Sequence, residues 1–133
     1  MVIVNPEQDG EVLFSQRDNG IWHLPGGKVE LGQSCHVAGE DETEQEVGLD
    51  ISLEGVEGKI FEMRIMGNDG PQKHVGKLKV STVFSVRSFR GEPAPLDETK
   101  AVAWHRPEMA SILGEVRPDT FPALATTGHL RSS

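Results

Sequence analysis

Cysteine, tyrosine and long apolar runs are what this chain lacks. A single cysteine, Cys35, in 133 residues excludes an internal disulfide and a cysteine-based metal cluster. There is no tyrosine and there are only two tryptophans, so stacking on a planar ligand would fall to Trp22, Trp104 or a phenylalanine. No apolar stretch has the length needed to cross a bilayer, and the N-terminus lacks a basic region followed by an apolar segment. These absences give the expectation of a cytoplasmic protein with no membrane partner. Positive charge is scarce as well: Lys and Arg number 13 against 21 Asp and Glu, a formal net charge of −8. That balance argues against a duplex nucleic-acid binder, which needs a basic patch. It leaves nucleotides open, because cations held in an acidic site can carry the positive charge that phosphates require. Length and ordinary composition fit one domain over residues 1–133 with a real core, and no repeat or linker is visible.

What is present centres on Leu24 to Leu49, LPGGKVELGQSCHVAGEDETEQEVGL. A glycine turn leads into a predicted helix with Ser34 as N-cap and Gly48 as the left-handed residue that ends it. Glu40, Asp41, Glu42, Glu44 and Glu46 crowd this helix with no Lys or Arg between them. Glu42 and Glu46 are one turn apart and share a face, with Gln45 beside them. Two readings follow. One is a solvated acidic face. The other is a seat for a hard cation such as Mg²⁺, which takes oxygen ligands and keeps positions open for phosphates. Cys35 sits in the first helical turn, either as a thiol acidified by the helix end or, the favoured reading, as a small packing residue.

Around this segment the pattern predicts a strand over Met1–Val4, a turn, and a return strand over Glu11–Gln16. A short strand over Ile21–Leu24 then feeds the glycine turn. Strands are expected at Asp50–Leu53, Lys59–Met66, Lys77–Phe89 and Ala101–His105, with Leu78, Val80, Thr82, Phe84 and Val86 along one face of the long one. Pro107 starts a short helix through Leu113, and another lies near Thr120–Thr126. Trp22 reads as a packing residue. Lys73 and His74, at the tip of a polar hairpin loop, read as solvated or as facing phosphate.

The segment from Gly27 resembles the Nudix box of the MutT-type hydrolases, in which Gly is followed after five residues by Glu. Seven residues further comes Arg-Glu-aliphatic-any-Glu-Glu-any-Gly-aliphatic. Gly27, Glu42, Glu46, Gly48 and Leu49 match without a gap. Gln33, Asp41, Thr43 and Gln45 depart, and Trp22 to Glu30 is typical of the family's approach to the box. The resemblance covers roughly Val2 to Leu113. It implies an α/β fold of Nudix type, an α/β/α sandwich with a mixed sheet. It further implies Glu42, Glu46, Gln45 and the Gly27 carbonyl as ligands of Mg²⁺ or Mn²⁺, and Glu42, Glu46 and Glu98 as catalytic groups. Gly26, Gly27, Arg17 and Lys28 would contact a small nucleotide or nucleotide derivative as substrate. A homodimer is compatible with family habit.

The departures bear on the same chemistry. An amide at Gln45 brings oxygen but no charge, which weakens cation binding. Asp41 replaces the family's arginine and would repel Glu30 unless it reaches Lys28 or the loop is looser. Gly39 lowers the intrinsic helix stability by roughly 1 kcal/mol relative to alanine. The enzymatic expectation is hydrolysis of a nucleoside diphosphate linked to another moiety X. The alternative is a Nudix-fold binding or regulatory module. The whole chain lacks tyrosine and Glu62–Gly67 lacks proline, so subfamily markers for dinucleoside polyphosphates and ADP-ribose are missing.

Overall fold

A computed structural model describes residues 1–26, 32–65 and 75–130. β2 (Val12–Arg17) is the central strand of an antiparallel trio, flanked by β3 (Trp22–His23) and β7 (Thr99–His105). β1 (Val2–Ile3) runs parallel to β6 (Ser85–Val86), and β4 (Lys59–Arg64) pairs antiparallel with β5 (Leu78–Val83). Parallel and antiparallel pairings together make the sheet system mixed.

Val12, Leu13, Phe14 and Ser15 are all buried, so β2 is covered on both faces. On one side Val12 and Phe14 join a cluster with Ala123 and Leu124 of α2 (Thr120–Thr126) and Ala110 of a 3₁₀ helix (Pro107–Ile112). On the other, Leu13 joins Val47 of α1 (Cys35–Val47) together with Leu49, Ile51 and Leu53. The result is the layered α/β/α arrangement that the resemblance implies. Among the described residues no helix is long and apolar enough to cross a membrane.

α1 buries only Ala38, Thr43 and Val47, so its ends and edges carry much of its fixation. The Ser34 hydroxyl accepts the Val37 N–H at 3.1 Å. Gly48 closes the helix at φ 73° with its N–H on the Glu44 carbonyl. The Glu40 carboxylate accepts the Leu53 N–H at 2.6 Å. The carbonyls of Glu46 and Val47 accept from Leu96 and Ala94, each at 3.0 Å, so orphan groups of the last turn are satisfied by a distant loop.

Several expectations are corrected. Asp50–Leu53 forms no strand, only a bridge from Asp50 to Arg90. The expected strand over Lys77–Phe89 breaks at Phe84, and the break changes which face is covered. Leu78, Val80 and Thr82 are exposed, whereas Phe84 and Val86 are buried. Val83 and Phe84 are adjacent yet both buried, which one continuous pleat sharing a single core face does not allow. β4 is described to Arg64, and Met66 lies outside the described residues. The helix after Pro107 is 3₁₀. Gly39 is more than a weak helix residue: a Cβ there would lie 3.1 Å from both Leu53 Cδ1 and Met1 Cε.

Candidate active site

The glycine turn and the acidic helix meet at one hydrogen bond: Glu46 Oε2 accepts the Gly26 N–H at 2.8 Å. Burial, with the Glu42 carboxylate nearby, pushes the Glu46 carboxyl up to about 7, against the opposing pull of that N–H and of Arg17. Glu42 is half-buried on the same helix face. Gln45 is exposed. Gly27, Lys28 and Glu30, and likewise Lys73 and His74, lie outside the described residues.

Two departures from the Nudix pattern answer each other. Gln33 Nε2 donates to Asp41 Oδ2 at 3.1 Å, tying the loop before the helix to the position where the family carries arginine. Asp41 therefore has a partner in Gln33. Thr43 is buried, and its hydroxyl is satisfied by the Gly39 carbonyl at 2.7 Å, the internal i−4 bond that lets a hydroxyl sit on a packed helix face. Cys35, expected as a packing residue, is exposed at the mouth of the cleft described next. Trp22 is buried in the core, and Trp104 packs against Phe89 with ring centroids 6.0 Å apart.

Glu98 faces Arg17, with Nη2 3.1 Å from Oε2. Arg17 also lines a cleft of ≈ 640 Å³ that runs from Pro25 and Gly26 past Cys35 and Gly39 to β5 and Arg117–Thr120. Leu24, Phe61, Val83 and Ala123 supply apolar wall, and the far end is polar. There Asp119 accepts from Arg117 Nε at 2.7 Å and from Lys79 Nζ at 3.1 Å. Burial alone would push the Asp119 carboxyl up, but the two cations overcome it and hold the group below the usual carboxylate range. Thr120 Oγ1, buried in the same wall, has no hydrogen-bond partner among the described residues. His23 is buried with Nε2 3.3 Å from Ser15 Oγ. Burial, then Arg117, lowers its pKa to about 4.

Sequence reasoning missed Lys79, Arg117, Asp119 and Thr120. The only local signal was Asp119 in N-cap position before α2, and that signal misleads, because the side chain makes no cap bond and turns to Arg117 and Lys79 instead.

Among the described residues no three of His, Cys, Asp and Glu converge as a metal-holding group. Glu42 and Glu46 provide two carboxylates, with the Gln45 amide next to them on the helix. This fits a hard cation that takes its other oxygens from water and substrate phosphates.

The NUDIX domain model matches residues 1–126. A MutT-like protein of Streptomyces ambofaciens is 28% identical over 105 residues, covering 78% of this chain and 60% of the relative. The chain thus spans about 60% of that relative's length. The crystal structure of a MutT NUDIX hydrolase from Burkholderia pseudomallei superposes with a TM-score of 0.70 at 22% identity, covering 94% of this chain and 93% of that one. The E. coli dihydroneopterin triphosphate pyrophosphohydrolase gives 0.68 at 19%, covering 93% and 88%. The chain belongs to the Nudix family, and its fold is the Nudix fold.

Proposed function

We propose that this protein is a divalent-metal-dependent pyrophosphohydrolase acting on a nucleoside diphosphate linked to another moiety X. The observation that carries the reading is the acidic helix, with Glu42 and Glu46 one turn apart, joined through Glu46 to the Gly26 N–H, where Gly26 itself lines a cleft large enough for a nucleotide. Glu42 and Glu46, with the Gln45 amide, would hold Mg²⁺ or Mn²⁺, and such a cation would supply charge neutralisation for the diphosphate and Lewis acidity toward water. Gly26 lets the backbone approach the phosphates, its φ of 154° being one that side chains resist. Arg17 supplies a guanidinium to a phosphate oxygen. Glu42 or Glu98 takes the proton of the attacking water. The new P–O bond forms as the bridging P–O bond breaks, giving a nucleotide and a phosphorylated product.

The rest of the substrate lies along the cleft, with a planar base between the apolar walls and its hydrogen-bonding edge toward Asp119 and the Thr120 hydroxyl. An ionised carboxylate accepts only, so this end favours a base edge that presents N–H groups.

The neutral Gln45 favours a second reading, a nucleotide-binding module that does not cleave. One assay separates the two. Purified protein is incubated with nucleoside triphosphates, nucleotide sugars, ADP-ribose and dinucleoside polyphosphates, with Mg²⁺ and with Mn²⁺, and phosphate release is coupled to a phosphatase. Turnover of one class, lost in Glu46→Gln, supports the hydrolase. No turnover, with specific thermal stabilisation by a nucleotide, supports the binding module.

A further inference from the structure

Resting on the diphosphate-cleaving reading, we propose that the Arg17–Glu98 ion pair is a latch whose halves change partners when a cation and a diphosphate arrive together. Arg17 turns to the phosphate, and the Glu98 carboxylate is released toward the Glu42/Glu46 pair.

The backbone on both sides is fixed while the side chains are free to exchange. Arg17 ends β2 at a register irregularity between Gln16 and Arg17, opposite Thr99, which sets it beside Glu98. The loop carrying Glu98 is anchored to the end of α1, with the Leu96 N–H on the carbonyl of Glu46 itself. Asp97 holds a left-handed φ of 54° next to Glu98, a conformation that persists in a non-glycine residue only where its surroundings impose it. The side chains of the pair are 41% and 68% exposed, and an exposed pair of this kind is easily replaced by a multiply charged ligand.

Arg17 lines the cleft with Gly26, so the phosphate path and the latch share one guanidinium. Gln45 leaves the helix without a third charge at the cation seat. Glu98, on a loop hydrogen-bonded to the Glu46 carbonyl, is the acidic group that exchange would free. In the closed pair Glu98 is neutralised by Arg17 and Arg17 by Glu98. Each ligand therefore meets a better site once the other has drawn its partner away, which makes cation and diphosphate binding positively and reciprocally coupled.

Calorimetric titration of the protein with Mn²⁺, with methylenediphosphonate and with their preformed complex reads this without turnover. The complex is expected to bind about tenfold or more tightly than Mn²⁺ alone, within the usual span of coupling. Arg17→Met should strengthen binding of Mn²⁺ alone by about fivefold while weakening the complex, and that gain should vanish in a Glu98→Gln background, as a double-mutant cycle requires for a pairwise link. Equal affinity for Mn²⁺ and the complex overturns the latch. So does an Arg17→Met gain that persists with Glu98→Gln, which marks a general field effect. Tight binding of the complex without the cycle's coupling defeats the latch alone; absence of any binding by the complex defeats the hydrolase reading with it.

Discussion

The Glu46 carboxylate accepts the backbone N–H of Gly26 at 2.8 Å, so the acidic helix and the glycine turn are held as one unit even though twenty positions separate them. Holding that bond inside the protein has a consequence for pH. The Glu46 pKa is raised from 4.5 to about 7. Between those values the unfolded chain has released a proton that the folded chain retains, so stability falls as pH rises through this window. His23, lowered from 6.5 to about 4, acts in the opposite sense. Between about 4 and 6.5 the unfolded chain binds a proton that the folded chain refuses, so stability rises with pH. Where the windows overlap the two slopes, each at most about 1.4 kcal/mol per pH unit, offset one another. Glu46→Gln should therefore turn a shallow Tm profile between pH 4.5 and 6.5 into one that climbs with pH. It should also stabilise the metal-free protein at pH 8 by about 2 kcal/mol. An unchanged profile in thermal denaturation would refute the assignment.

Gly48 ends α1 at φ 73°, and a Cβ there would lie 3.1 Å from Leu96 Cδ1. Gly48→Ala should cost about 1–2 kcal/mol, part from the left-handed backbone and part from crowding. Gly48→Asn should cost less of the backbone share, since Asn tolerates that region. Because Leu96 N–H bonds the Glu46 carbonyl, the alanine variant should also lower kcat by disturbing the loop that bears Glu98. Urea denaturation and steady-state kinetics check the two effects separately, and an unaltered denaturation midpoint would contradict the first.

Gln45→Glu places a negative charge on an exposed position of the helix face proposed to hold the cation. Tighter Mg²⁺ binding and a gain of about tenfold in Mg²⁺-dependent kcat/KM are expected, roughly 1.4 kcal/mol of transition-state stabilisation. A variant no faster than the parent would mean that the Gln45 position takes no part in catalysis.

The legibility of this chain followed the range of its interactions. The helix and both its caps were readable because Ser34 and Gly48 act within a turn of their own backbone, and the family box places Glu42 and Glu46 by the same local spacing. The long strand over Lys77–Phe89 was misread because alternation continues through Phe84, whereas the break there answers to pairing with β1, in which the Val2 N–H takes the Phe84 carbonyl. The Gln33–Asp41 bond was also hidden: each residue reads singly as a lost function, and only their 3.1 Å contact shows that one departure answers the other. The polar end of the cleft was least readable, since Lys79 and Asp119 lie 40 positions apart and neither falls in the box.

That polar end gives the last prediction. Asp119 is held by Arg117 and Lys79 from two directions, and it stays ionised because those cations outweigh its burial. If the carboxylate reads the N–H edge of a base, it acts far from the reacting phosphorus and its contribution is shared by ground and transition states. Asp119→Asn keeps the shape but exchanges one acceptor for a donor. KM for the preferred nucleotide should rise about tenfold with kcat within about threefold, and the ranking of bases should shift toward those presenting an acceptor. Asp119→Ala would also leave Arg117 and Lys79 without their counter-ion, so it should lower Tm, which makes the isosteric variant the cleaner probe. A matched fall in kcat and kcat/KM for Asp119→Asn, with base ranking unchanged, would place Asp119 in the chemistry or the scaffold and remove it from substrate selection.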